Sequence, residues 1–152
     1  MQHHNLTISP YNEQYRQEIL DVWESAVLAT HHFLTTTDFA EIKELVANIN
    51  FNDFQVFCLT KQNSVLGFIG VADNKVEMLF VDPKYFGQGI GKELLAFAIN
   101  KLNATKVDVN EQNPKALKFY QKFGFEIVGR TDKDHQGRNY PILRMELVEE
   151  NE

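Results

Sequence analysis

Cysteine is nearly absent: Cys58 is the only one in 152 residues. No internal disulfide can form and no thiolate metal cluster can assemble. Within QVFCLT, a strand pattern, Cys58 reads as a small buried apolar residue. Long apolar runs are missing as well. Nothing approaches the roughly 20 residues that span a bilayer, and the opening MQHHNLTISP lacks the charged and apolar regions of a signal peptide. A soluble cytoplasmic protein without a membrane partner is expected. Basic charge is in deficit, 15 Lys and Arg against 21 Asp and Glu for a net charge of -6. That argues against nucleic acid as the main partner, because phosphate neutralisation supplies most such affinity. A cationic or amine ligand is compatible with it. His31 and His32 are adjacent, but the pair His3–His4 and His135 lie far from them along the chain, and zinc needs three or four ligands at suitable spacing. No metal is expected.

Repeats, low-complexity tracts and linkers are also lacking. One domain over residues 1–152, with its core at about 6 to 148, suits this length. Hydrophobic residues at 43%, including 12 Phe, are enough to build that core.

The chain order then follows from periodicity. Leu6 to Ser9 alternates as a short strand ending at Pro10. From Asn12 to Thr30, residues Tyr15, Ile19, Val22, Trp23, Ala26 and Val27 recur at helical spacing. A second helix is expected from about Asp38 to Ile49, its start marked by Thr37 or Asp38, with Glu41 three residues after Asp38 as in a capping box. Gln55 to Thr60 and Val65 to Ala72 flank a polar turn and read as an antiparallel hairpin. Asp73-Asn74 turns the chain into a third strand, Val76 to Val81. A helix from Gly89 to about Asn103 follows, then a strand at Lys106 to Asn110. Pro114 fits the first turn of a helix that Gly124 ends. Phe125 to Thr131 and Tyr140 to Val148 form a last hairpin, before an acidic tail expected to fray.

The stretch VEMLFVDPKYFGQGIGKELL, from Val76 to Leu95, organises the rest. An apolar strand stops at Asp82-Pro83, and Gly87, Gly89 and Gly91 precede an amphipathic helix. Glycines let the backbone approach a ligand, and amides at the positive end of a helix attract an anion, most often phosphate. The spacing excludes the commoner phosphate loops. A Walker A loop would place Gly at 86 and Ser or Thr at 93, where Phe86 and Glu93 stand. A dinucleotide fingerprint starting at Gly87 would need Gly in place of Lys92.

A second block, NPKALKFYQKFGF from Asn113 to Phe125, follows one short strand later. Together the two blocks resemble the acetyl-CoA-binding core of the GNAT superfamily of N-acetyltransferases. Gly89, Gly91, Asn113, Ala116, Phe119, Tyr120, Gly124 and Phe125 match in type and order, whereas Phe86 replaces the usual Gln or Arg. The resemblance implies an α/β fold with a mixed, mostly antiparallel sheet of six or seven strands and about four helices. It also implies acetyl transfer from acetyl-CoA to a primary amine, by direct attack within a ternary complex. The rival reading is a non-catalytic acyl-CoA-binding or sensor module of the same fold.

The resemblance assigns the loop Phe86, Gly87, Gln88, Gly89, Ile90, Gly91 and Lys92 to the pyrophosphate. The backbone of Leu79 and Val81 in the preceding strand is assigned to the pantetheine arm, Phe80 to the cofactor-binding strand, and Asn113 to that arm or an ordered water. Tyr120 is placed as the acid that protonates the departing sulfur. Glu77 and Asp108 both stand where family members carry a general base. Such an amine, with a pKa near 10.4, is neutral for only about one part in a thousand at pH 7, so deprotonation matters. WESAVLATHHFL resembles one bacterial subgroup in which the first two helices wall the acceptor pocket, implying substrate contacts from Trp23, His31, His32 and Phe33. The acceptor is read as a small-molecule or peptide amine, and the protein as a monomer or homodimer.

Overall fold

Two periodicities in the chain produce two kinds of element, and each turns its apolar side to a common sheet. The computed structural model describes residues 6–148. His3, His4 and the acidic tail 149–152 lie outside them. In order the described chain forms β1 (Leu6–Pro10), α1 (Arg16–Thr30), α2 (Thr36–Ala47), β2 (Gln55–Lys61), β3 (Ser64–Ala72), β4 (Lys75–Val81), α3 (Ile90–Lys101), β5 (Lys106–Asn110), α4 (Pro114–Lys122), β6 (Phe125–Thr131) and β7 (Ile142–Leu147). This is the expected sequence of elements. The strands make one sheet in the order β1-β2-β3-β4-β5-β7-β6.

Helices cover both faces. Ile19, Val22, Trp23 and Val27 of α1 pack with Phe51 and Phe68 on one side. Leu94, Leu95 and Ala98 of α3 pack with Ile69, Val107 and Phe125 on the other. Each of the buried Val, Leu, Ile and Phe side chains among these stabilises the fold by about 1.5–3 kcal/mol relative to exposure. Gly67 of β3 lets α3 come close, since a Cβ there would lie 3.0 Å from the Phe80 carbonyl oxygen and 3.2 Å from Ile90 and Leu94.

Two features of β4 position the site. All neighbouring strands are antiparallel except β4 and β5, whose parallel pairing holds only at Lys75–Lys106 and Val76–Val107. Beyond Val76 the two strands are no longer joined, and the sheet opens. On the other side, Gly70 pairs with Met78 but Val71 with Val76, so Glu77 is the extra residue of a β-bulge. Val76 therefore packs on the α3 side and Met78 on the α1 side, although a regular strand would put both on one face.

The start of α2 differs from the expected one. Thr35, not Thr37 or Asp38, is the cap, and its hydroxyl accepts the Asp38 amide at 3.0 Å. The Asp38 carboxylate is engaged elsewhere: it accepts the Tyr140 hydroxyl at 2.5 Å and faces Arg138 at 3.4 Å. These contacts tie α2 to the segment before β7.

Candidate active site

Asp82 donates its amide to the Leu66 carbonyl at 2.8 Å, so the end of β4 is bonded to β3. Peptide groups alternate sides along a strand. Phe80 and Met78 therefore face β3, while the peptide groups of Leu79 and Val81 face the gap that β5 has left. Their N–H and C=O groups line an opening in the sheet, poised for an extended ligand to take the place of a missing strand.

At the mouth of the gap the chain makes a turn and enters α3. Gly87 and Gly89 have φ of 79° and 83°, a left-handed conformation that costs other residues about 1–2 kcal/mol. Gly89 is the N-cap of α3 and has no side chain to cap it. The first-turn amides of Ile90, Gly91 and Lys92 are thus left at the positive end of the helix for an outside acceptor. Gly91 is not held to glycine by its surroundings: a Cβ would meet Phe119 at an ordinary 3.5 Å.

Across the gap stands α4. The Asn113 side chain caps it, accepting the Ala116 amide at 3.2 Å, which fixes the asparagine at the edge of the opening. Tyr120 is 7% exposed, and its ring meets Phe119 and Phe125 edge-on at 5.1 and 5.7 Å. Burial raises its pKa well above the usual tyrosine value. The hydroxyl is therefore protonated throughout the neutral range, and it has no protein hydrogen-bond partner among the described residues.

These elements enclose a cleft of about 600 Å³. Its walls include Leu79, Phe80 and Val81, the loop residues Phe86, Gly87, Gly89, Ile90, Gly91 and Lys92, and Asn113 and Tyr120. Ala26, Thr30 and His31 close it from the end of α1. A thioester carrier fits this arrangement: uncapped amides for phosphate, an open strand edge for an amide-bearing arm, and a buried hydroxyl further in.

Other expected site residues lie elsewhere. Gln88 belongs to the loop but not to the cleft wall. Trp23 is a core residue, 4% exposed and stacked on Phe39 at 5.8 Å. His32 is exposed, and Phe33 sits behind the wall between His31 and Tyr140, 5.2 and 5.7 Å from their rings. Glu77 is exposed on its bulge. Asp108 is bonded to Lys75 at 2.5 Å and to His135 at 3.0 Å. Neither carboxylate lines the cleft. Ala26, Thr30, Tyr85 and Lys115 are wall residues that the sequence reading passed over. The spacing of Ala26 and Thr30, one helical turn apart, was the signal that α1 offers small side chains to a neighbour. Among the described residues, no group of three or more His, Cys, Asp or Glu side chains could hold a metal ion. Burial, with Glu18 adding to it, pushes the Cys58 thiol up to about 12, so it is unreactive.

A parted parallel strand pair, a glycine-rich helix entry and a buried tyrosine define an acyl-CoA-dependent N-acyltransferase site. The chain belongs to the GNAT acetyltransferases: residues 13–148 match the acetyltransferase (GNAT) domain family, whose members use acetyl-CoA. It is 36% identical over 129 residues to the peptidyl-lysine N-acetyltransferase YjaB of Salmonella typhimurium, covering 85% of this chain and 89% of that one. The solution structure of apo YjaB from Escherichia coli superposes with a TM-score of 0.86 at 29% identity, over 94% of this chain and 97% of that one. The PaiA N-acetyltransferase of Thermoplasma acidophilum in complex with coenzyme A shares the fold, with a TM-score of 0.67 at 21% identity over 93% of this chain and 98% of that one. Relatives that are acetyltransferases by name support catalysis over a binding-only module.

Proposed function

We propose that residues 6–148 act as one catalytic domain that acetylates the ε-amine of lysine in a peptide or protein, with acetyl-CoA held in the cleft between β4 and α4. The observation that carries this reading is the meeting of three groups around one cleft: uncapped amides at Ile90–Lys92, the free peptide edge of Leu79 and Val81, and, across the gap, the protonated Tyr120. The lysine acceptor is supported by the name of the 36% identical relative. The net charge of -6 suits a cationic acceptor.

Each group has a task. The first-turn amides of α3 hold the pyrophosphate, and Gly87 and Gly89 give the turn its shape. Leu79 and Val81 bond the amide groups of the pantetheine arm and orient the thioester, which supplies the acyl carbon. Asn113, whose amide nitrogen is not used in capping, bonds the same arm. Tyr120 donates its proton to the departing sulfur, and its environment keeps that proton in place until charge develops on the leaving group. Glu77 and Asp108 reach the amine only through water, the first because it stands outside the cleft wall, the second because Lys75 and His135 hold it. The single buried thiol and the family's use of acetyl-CoA suit a cytoplasmic location.

The test is thiol release from acetyl-CoA with a lysine peptide, a polyamine and a free amino acid as rival acceptors. Acetylation of the peptide ε-amine in preference to the other two, identified by mass spectrometry, is the expected result. Preference for a polyamine would reassign the acceptor, and no release with any amine would refute catalysis.

A further inference from the structure

The proton on His31 can be located from its neighbour. Thr30 donates its only hydroxyl hydrogen to the Ala26 carbonyl at 2.7 Å, the back-bond open to a threonine in a helix. The same hydroxyl oxygen lies 2.7 Å from Nδ1 of His31. With its hydrogen committed, Thr30 can only accept, so Nδ1 carries the proton. The opposite arrangement would lose one hydrogen bond and press the hydroxyl lone pairs against the Ala26 oxygen. A neutral imidazole with Nδ1–H has an unprotonated Nε2, and no protein group among the described residues bonds that nitrogen.

The ring is also held in place. Its backbone amide closes α1 on the Val27 carbonyl at 2.8 Å, and its face tilts against Phe33, which leans on Tyr140. Tyr140 in turn is fixed by Asp38 and the Thr35 amide. Burial, reinforced by His32, lowers the His31 pKa to about 4, so the ring is neutral at physiological pH. His31 lines the same cleft as Tyr120.

We propose that Thr30 locks His31 as its Nδ1–H tautomer so that Nε2 accepts an N–H of the attacking primary amine and leaves the amine lone pair free for the acyl carbon. The other tautomer would present an N–H to that lone pair and mask the nucleophile. The inference rests on the acetyl-transfer reading and adds to it an amine-orienting residue at the C-terminal end of α1. Attack forms the C–N bond and breaks the C–S bond. Tyr120 supplies the proton taken by sulfur, the amine gives one up to water, water returns one to the Tyr120 oxygen, and His31 stays neutral, holding the remaining N–H in register.

The test has two arms. Nitrogen-15 NMR of the full chain labelled at histidine, at neutral pH, should show His31 protonated at Nδ1 and bare at Nε2, and Thr30→Val should abolish that preference. Addition of Nα-acetyl-lysine amide in the presence of CoA should move the Nε2 resonance. In kinetics, His31→Phe keeps a ring against Phe33 but has no acceptor. Its kcat/KM for the amine should fall about tenfold or more while KM for acetyl-CoA holds, and His31→Gln should recover most of the loss. A protonated Nε2, an unmoved resonance, or His31→Phe with unchanged amine kinetics would overturn the proposal. If the wild type releases no thiol with any amine, the acetyl-transfer reading fails, and the NMR arm still decides the tautomer and the amine contact.

Discussion

The amide of Asp82 bonds the Leu66 carbonyl at 2.8 Å, and this one bond fixes which peptide groups of β4 face the cleft. Asp82 has φ of -57°, a value proline adopts without strain. Asp82→Pro should therefore remove this donor with little other backbone disturbance. Loosening the strand end should weaken CoA binding several-fold, consistent with the loss of about 0.5–1.5 kcal/mol for one net hydrogen bond. Asp82→Ala, which removes the side-chain contacts to Lys84, its amide at 3.0 Å and its ammonium at 4.0 Å, but keeps the Asp82 amide, serves as control. Calorimetry with equal affinities for both variants would show that the β4 edge does not hold the arm.

Phe86 is 47% exposed at the cleft mouth, where the family's usual Gln or Arg is missing. Phe86→Arg should cost the fold little and add a charge-assisted bond to phosphate, worth about 1.5–3 kcal/mol at best. CoA should bind more tightly, and more so at low salt. Weaker binding would mean that the phenyl ring itself packs on the cofactor.

Much of this site is legible in the residues because its parts are local. The glycine turn, the helix behind it and the Asn113–Phe125 block each depend on residues a few positions apart, and Gly87, Gly89, Gly91, Asn113 and Tyr120 from them line one cleft. The general base is not legible, because the face on which a strand carboxylate lies depends on register, and the bulge at Glu77 reverses that register with no mark in the sequence. Asp38 illustrates the same limit. Its spacing to Glu41 suggests a cap, yet its carboxylate is taken by Tyr140, 102 residues away. Trp23 could have been placed correctly, since its spacing from Ile19 and Val27 already puts it on the buried face of α1.

The Asp38–Tyr140 contact also predicts an acid response. The hydrogen bond from the Tyr140 hydroxyl, more than any other neighbour, holds the Asp38 pKa below the ordinary carboxylate value. A carboxylate depressed in the fold contributes stability that is complete above its unfolded pKa, near 3.9, and is lost as pH falls through the folded value. Tyr140→Phe should raise the Asp38 midpoint followed by NMR. It should also lower Tm at pH 7, with the gap to wild type closing as pH falls below about 4. A Tm gap that persists unchanged at low pH would assign the effect to packing alone.

Tyr120 carries the chemistry in this account, and Tyr120→Phe isolates it. The substitution keeps the edge-on contacts to Phe119 and Phe125 and removes only the donor. Stability and CoA affinity should hold, and the high-pH limb of the rate profile should change. Turnover with the lysine peptide, measured in single-turnover conditions where chemistry limits the rate, should fall about 10²- to 10⁴-fold, equivalent to about 3–5 kcal/mol of barrier. A loss under about tenfold would leave Tyr120 as a packing residue and transfer the proton donation to water.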